Sequence, residues 1–169
     1  GLWDGTGRTR MNMDKDKKKE TTAVDSGIIL TGQEMPTADI ALFSRLIFLS
    51  FYKNEYSDAE KKSFDELKLI EKKGLTHITN EILSHRKHFS QHFTKHYDNV
   101  VSKLNEALND EIIEDRIFRN WAIILAAFST LEEKINLPFK IDNLLKISVK
   151  LLLSQQRETR TSNEISTFW

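Results

Sequence analysis

Four histidines follow one another at helical spacing in the middle of the chain, at His85, His88, His92 and His96. At 100° per residue they fall within about 80° of one helix face. Histidine pairs four residues apart can chelate Zn²⁺ or Ni²⁺. No carboxylate lies between residues 85 and 97 to complete a closed set of four ligands, so the favoured interpretation is a half-polar stripe beside the core, with no metal.

A basic segment lies near the start of the chain. From residue 8 to residue 19 it carries six basic and two acidic side chains, a local charge of +4. Flexible basic side chains can bind the phosphates of nucleic acids without recognising the base sequence. The alternative interpretation is a solvated loop, because runs of charge are also common there. The candidate nucleic-acid contacts are Arg8, Arg10, Lys15, Lys17, Lys18 and Lys19.

The segment from residue 4 to residue 9, DGTGRT, looks like a degraded phosphate-binding P-loop but fails on spacing. A P-loop needs Gly, four residues, Gly, Lys and then Ser or Thr, so that backbone amides cradle the phosphates. Counting back from Gly7 puts Leu2 where the first glycine should stand. Nucleotide binding by this loop alone is therefore not predicted.

Composition excludes several classes of protein. The 169 residues contain no cysteine, which rules out disulfide scaffolds, zinc ribbons and thiol nucleophiles. The longest mainly apolar run, Trp121–Phe128, is far shorter than the roughly 20 residues that span a bilayer. The chain carries 25 basic and 25 acidic side chains. We expect a soluble, cytoplasmic piece of a longer protein, without a membrane partner.

The first third of the chain predicts a loop, two strands and a short helix. Residues 4 to 27 lack apolar periodicity and predict a mobile loop. The apolar runs Gly27–Leu30 and Leu46–Phe51 are typical of buried strands. Between them, Thr37 suits the cap of a short helix and Asp39 suits its positive end.

The rest of the chain predicts helices. Ser57 and Glu60 form a capping box, and Gly74 is expected to end that helix in a left-handed conformation. Apolar residues from 78 to 108 then repeat every three or four positions, with an interruption expected near residue 89 and a break at Asn109.

The most buried helix is predicted from residue 112 to residue 135, where apolar positions surround Trp121. Trp121, with Leu125 and Phe128, is therefore assigned to the core. A last helix is expected from about residue 142 to residue 156. The polar residues 157–163 are predicted to form a linker.

The segment from residue 27 to residue 51, GIILTGQEMPTADIALFSRLIFLSF, resembles the distal half of the ATPase core in primase-helicases of phages and bacterial mobile elements. In these superfamily-3-like and AAA+ proteins a strand ends in a Thr-x-Asn-like sensor. A P-x-x-D stretch, an A-L-x-x-R helix and a last apolar strand follow. Gln33 stands where the sensor asparagine is usual. The resemblance covers about 45 residues well, and the helices that follow only in general character.

The resemblance implies roles for three residues and for the basic segment. Thr31 and Gln33 would sense the γ-phosphate, and Arg45 would be an arginine finger that reaches the nucleotide of a neighbouring subunit. The basic segment falls where these proteins carry a DNA-contacting loop. ATP and Mg²⁺ would be cofactors of the intact parent only, which would act as a homo-oligomeric ring on single-stranded DNA. Without a P-loop the isolated chain is expected to be inactive.

The expected fold is thus mainly α: a bundle-like helical domain that follows a remnant of an α/β ATPase core. The expected domains are a basic loop over 1–26, the distal ATPase edge over 27–52 and a helical domain over 53–156, followed by a linker and the start of another segment over 157–169. The alternative function is a non-catalytic helical module that binds a protein or a nucleic acid, with the N-terminal stretch as a tail.

Overall fold

The computed structural model of the chain describes residues 9–11, 19–21, 27–33, 39–51, 55–109 and 111–167. The contacts divide the chain into two units, Gly1–Pro36 and Thr37–Trp169. The described part is mainly helical, which confirms the predicted α class. The short helix expected near residue 40 therefore belongs to the unit that contains the other helices.

The first unit contains an antiparallel pair of short strands, β1 (Thr9–Met11) and β2 (Lys19–Thr21). In their register Thr9 faces Thr21, Arg10 faces Glu20 and Met11 faces Lys19. The sequence predicted an irregular loop here, so the strands are a correction. The two strands are held by backbone hydrogen bonds between them, and hydrophobic periodicity does not reveal such pairing.

Neither of the two predicted strands is present. The described residues 27–33 and 46–51 have no regular secondary structure. Ile29 is 92% exposed, so the first run is not a buried strand. In the second run, Ile47 packs on the helical core and the rings of Phe43 and Phe48 lie 5.5 Å apart. These apolar side chains are covered by helices rather than by a sheet.

The second unit begins with α1 (Ile40–Phe43). Its N-cap is Asp39, whose carboxylate accepts the Leu42 N–H at 2.9 Å. Thr37, the predicted cap, lies outside the described residues. A carboxylate at this position satisfies an orphan amide and also suits the positive end of the helix.

Two exposed helices follow, α2 (Asp58–Lys73) and α3 (Thr76–Ser84). The capping box predicted at the start of α2 is confirmed, since Ser57 and Glu60 bond each other's backbone amides. The bond from the Ser57 amide lowers the pKa of Glu60, and the Ser57 hydroxyl adds to the shift. Gly74 ends α2 with a positive φ of 92°, but its ψ of 142° is not left-handed helical.

Three longer helices complete the unit: α4 (Arg86–Leu108), α5 (Asp115–Glu132) and α6 (Ile141–Thr167). The interruption expected near residue 89 occurs at His85, between α3 and α4. Asn109 ends α4 in the left-handed conformation, as the predicted break there requires. Residues 157–163, predicted as a linker, instead continue α6.

The core lies between α4, α5 and α6, and α5 supplies its centre. Leu104 of α4 and Leu125 of α5 are fully buried and share one cluster. A second cluster joins Trp121 of α5 to Leu152 of α6. Trp121 is 4% exposed, which confirms that the helix around it is the central one.

Candidate functional site

Arg45 lies on the turn that follows α1, at residues 44–46. Its guanidinium donates a hydrogen bond to the Ala41 carbonyl, and the residue is half-buried. The turn is closed by two backbone bonds, from the Arg45 amide to the Leu42 carbonyl and from the Leu46 amide to the Phe43 carbonyl. Arg45 therefore caps the carboxyl end of α1 in this structure.

Gln155 of α6 holds this turn against the helices. Its Nε2 donates to the Phe43 carbonyl at 3.1 Å and to the Leu46 carbonyl at 2.8 Å. Its Oε1 accepts the indole N–H of Trp121 at 3.3 Å. Gln155 is 2% exposed, and these three bonds engage both the nitrogen and the oxygen of its buried amide.

Helix α5 holds the same turn through Ser44. Arg116 Nη1 donates to Ser44 Oγ at 3.1 Å, and Asn120 Nδ2 donates to the Ser44 carbonyl at 3.2 Å. The two donors lie four residues apart, on one face of α5. Sequence reasoning missed them, although a polar pair at i and i+4 in a central helix is a usable signal.

The two predicted phosphate-sensing residues, Thr31 and Gln33, are both exposed. They lie in the first unit, in a stretch without regular structure, whereas Arg45 lies in the second. The strand end that the resemblance implies for them is not present. Their sensing role remains a prediction.

The structure describes two of the six basic residues that are predicted to contact nucleic acid. Arg10 lies in β1 and Lys19 in β2, each at a paired position of the ladder. The other four, Arg8, Lys15, Lys17 and Lys18, lie outside the described residues. The connection between β1 and β2, residues 12–18, carries three of these lysines.

The histidine stripe meets a carboxylate that the sequence analysis did not assign to it. His88 and His96 of α4 each place Nε2 3.1 Å from a different carboxylate oxygen of Glu133, which follows α5. Both nitrogens are buried, and each lies within ion-pair distance of the carboxylate. His96 Nδ1 lies 2.9 Å from Ser129 Oγ.

The other two histidines of the stripe differ in their contacts. His92 donates from Nδ1 to the His88 carbonyl at 2.9 Å and stacks on the His88 ring. His85 lies 3.1 Å from Glu81, four residues earlier. Among the described residues no group of three His, Asp or Glu side chains is arranged to hold a metal ion. The carboxylate of Glu133, which is distant in sequence, lies beside the stripe, and only the folded structure reveals this contact.

This cluster predicts a pH dependence of stability. Desolvation raises the pKa of Glu133, but the charges of His96, His88 and His92 together hold it below its ordinary value of 4.5. A carboxyl with a depressed folded pKa stabilises the fold above its unfolded value, and that contribution is lost as the pH falls through the folded pKa. Glu133→Gln should therefore melt below the wild type at pH 6, with the difference vanishing in acid.

Thermal unfolding of both chains between pH 6 and pH 3 measures this difference. Glu106→Gln, at an exposed position of α4, is the matched control and should follow the wild type across the range. A melting difference for Glu133→Gln that stays constant down to pH 3 would show that its carboxylate charge is not the cause.

A separate surface feature is the exposed apolar side of α2 and α3. Every residue of both helices is exposed. Phe64, Leu67, Ile70, Ile78 and Ile82, each between 41% and 56% exposed, recur at three- or four-residue spacing within each helix. An amphipathic helix of 16 residues gains most of its stability from packing of its apolar side.

Comparison with known proteins gives no match to a family model, to a curated protein or to a solved structure. In the described residues, no helix has both the length and the apolar character needed to cross a membrane. Function must therefore be argued from the residues and their contacts.

Proposed function

We propose that this chain is the distal part of a primase-helicase-like NTPase of a mobile element, working as a homo-oligomeric ring on single-stranded DNA. The observation that carries the proposal is the local order of elements. A short helix, α1, is followed by Arg45 on a turn, and that turn is bonded to the helical core. The helix agrees with the A-L-x-x-R helix of the resemblance, whereas the strands that the resemblance places before and after it are absent from residues 27–33 and 46–51.

In the proposed ring, Arg45 acts in trans on the nucleotide of the next subunit. A guanidinium there neutralises charge that develops on the transferred phosphoryl group. Thr31 and Gln33 sense the γ-phosphate, and ATP and Mg²⁺ bind elsewhere in the intact NTPase. To reach the phosphate, Arg45 must release its bond to the Ala41 carbonyl.

The proposed DNA contact is the segment that contains β1 and β2. In the ladder Arg10 pairs with Glu20 and Lys19 pairs with Met11, and the connection between the strands carries Lys15, Lys17 and Lys18. Lysine and arginine side chains on such a segment contact backbone phosphates, and they release counterions on binding.

Fluorescence anisotropy of a labelled single-stranded oligonucleotide tests the contact. We expect salt-sensitive binding by the wild type, with each phosphate contact adding about 0.7 to the slope of log affinity against log salt. The test variant changes to alanine the residues Arg8, Arg10, Lys15, Lys17, Lys18 and Lys19. It should lose both the binding and the slope.

The matched control removes the same amount of charge elsewhere. It changes to alanine six exposed lysines of α2 and α4, namely Lys61, Lys62, Lys68, Lys72, Lys73 and Lys87. It should bind as the wild type does. An equal loss in both variants would mean that only the total charge matters, and no wild-type binding at low salt would contradict the DNA contact.

The second candidate function is a non-catalytic helical module that docks onto a partner. The exposed apolar positions along α2 and along α3, such as Leu67 and Ile78, favour it. Exposed apolar surface of this kind is typical of sites that bind a partner when it is contiguous. Absence of oligonucleotide binding by the wild type would favour this candidate over the NTPase.

A further inference from the structure

We propose that Gln155 is a positioning residue for Arg45: its side-chain amide fixes the turn from which the arginine acts. This inference rests on the proposed role of Arg45 in the NTPase. Gln155 lies 110 positions further along the chain, on α6. Its two donor bonds end on the carbonyls of Phe43 and Leu46, which bracket Arg45.

The orientation of the Gln155 amide is determined by Trp121. An indole N–H can only donate, so the amide atom that faces it at 3.3 Å must be the oxygen. The amide nitrogen then has to face the opposite way, toward the turn, where two carbonyl oxygens can only accept. The tryptophan therefore selects the one amide orientation that holds both carbonyls.

Burial makes this arrangement specific. Gln155 is 2% exposed and Trp121 is 4% exposed, so water cannot readily replace any of the three bonds. The bond to the Phe43 carbonyl is buried and the bond to the Leu46 carbonyl is part-buried. Breaking either is unfavourable, so the turn is restricted to the position where both bonds form. A fully satisfied buried network of this kind fixes a unique geometry.

A capping contact alone does not require such a network. The Arg45 guanidinium bond to Ala41 lies within the local segment, so it would form wherever that segment lay. Together with the bonds from α5 to Ser44, the bonds from Gln155 add what a local cap does not need, a fixed place for the turn on the helical core. Catalytic groups need this, since a displacement of about 1 Å can lower a rate on the order of a hundredfold.

The chain offers a matched control one residue away. Gln156, 8% exposed on the same helix, accepts the Glu114 amide at 2.7 Å through Oε1 and so holds a different loop. Gln155→Met and Gln156→Met each remove one buried amide from α6 at similar volume. Only the first removes the donors to the Arg45 turn.

Amide hydrogen exchange of the 169-residue chain tests the structural step. Gln155→Met should speed exchange of the Arg45 and Leu46 amides, which close the turn, by at least about tenfold. Gln156→Met should speed exchange at Glu114 instead. Unchanged exchange at Arg45 and Leu46 in Gln155→Met, with far-UV circular dichroism showing a folded chain, would overturn the inference.

Trp121→Phe provides a second route if Gln155→Met does not fold. It removes the indole N–H that orients the amide and keeps an aromatic ring in the core. We expect faster exchange at Arg45 and Leu46 here too, to a smaller extent. Wild-type exchange at both amides in this variant would show that the indole does not set the amide orientation.

Steady-state ATP hydrolysis by the intact NTPase tests the functional step. Gln155→Met should lower kcat on the order of a hundredfold and leave KM for ATP unchanged, while Gln156→Met keeps the wild-type kcat. Because Gln155 acts through Arg45, the double variant Arg45→Ala/Gln155→Met should be no slower than Arg45→Ala alone.

The outcomes separate the two hypotheses. Normal turnover by Arg45→Ala would remove the proposed function and this inference with it. Loss of turnover by Arg45→Ala together with a wild-type kcat for Gln155→Met would overturn only the positioning role. Equal losses for Gln155→Met and Gln156→Met would indicate general destabilisation, and would also overturn it.

Discussion

Leu125→Ala is expected to lower the free energy of unfolding by about 2–5 kcal/mol, because the side chain is fully buried at the centre of the bundle. It packs in one cluster with Val100 and Leu104 of α4. Truncation removes buried methyl and methylene groups and leaves a cavity that packed helices fill only in part. Urea unfolding followed by circular dichroism measures the loss.

The adjacent residue provides the control. Ile124 is 51% exposed on the same helix, and alanine has the higher helix propensity. Ile124→Ala should therefore change the free energy of unfolding by no more than about 0.5 kcal/mol. Equal losses at the two positions would contradict the assignment of α5 as the central helix.

Hydrophobic periodicity was sufficient to predict the bundle. The apolar positions around Trp121 recur at the spacing of a helix that is covered on most sides, and α5 is that helix. The start of α2 was also predictable, since a serine and a glutamate three residues apart satisfy each other's backbone amides whatever the rest of the fold does.

The carboxyl end of α6 was missed because its buried side is polar. Gln155, Gln156 and Thr159 are all buried, at the spacing that continues Leu152 along one helix face. The sequence predicted the helix to end at about residue 156 and the polar stretch 157–163, which contains Thr159, to be a linker, because a hydropathy pattern treats such polar residues as solvent-exposed. Their burial depends on partners distant in the chain, such as the Phe43 carbonyl, and no local pattern identifies such partners.

The candidate sites were predictable to different degrees. The position of Arg45 after a short helix followed from local sequence, as did the helical stripe of histidines. Glu133, which the stripe contacts, is separated from His96 by a helix and a loop. The strand prediction for the apolar run around Ile47 was wrong: Ile47 packs on the helical core, whereas Leu49 and Phe51 at the end of the run are exposed.

Arg45→Ala in the proposed intact NTPase is expected to lower multiple-turnover ATP hydrolysis by about 10³–10⁵-fold, the range that arginine fingers contribute. ATP binding should be unaffected, because a finger that acts in trans stabilises charge developing in the transition state rather than the bound ground state. Steady-state turnover and equilibrium binding of a nucleotide analogue separate the two effects.

Two variants sharpen this test. Arg45→Lys keeps the positive charge but loses the planar fork that matches phosphate oxygens, so it should recover only part of the rate. Arg119→Ala removes an exposed arginine of α5 that pairs with Asp115 four residues before it, and it should hydrolyse ATP at the wild-type rate.

A different result is expected if Arg45 only caps α1. If the guanidinium has only a capping role at the end of α1, Arg45→Ala lowers stability by about 1 kcal/mol and leaves turnover normal. Where Arg45→Ala does lose turnover, a mixed-subunit experiment tests whether the arginine acts in trans. Subunits that lack Arg45 should then regain hydrolysis beside wild-type neighbours, whereas a role within the same subunit cannot be supplied by a neighbour.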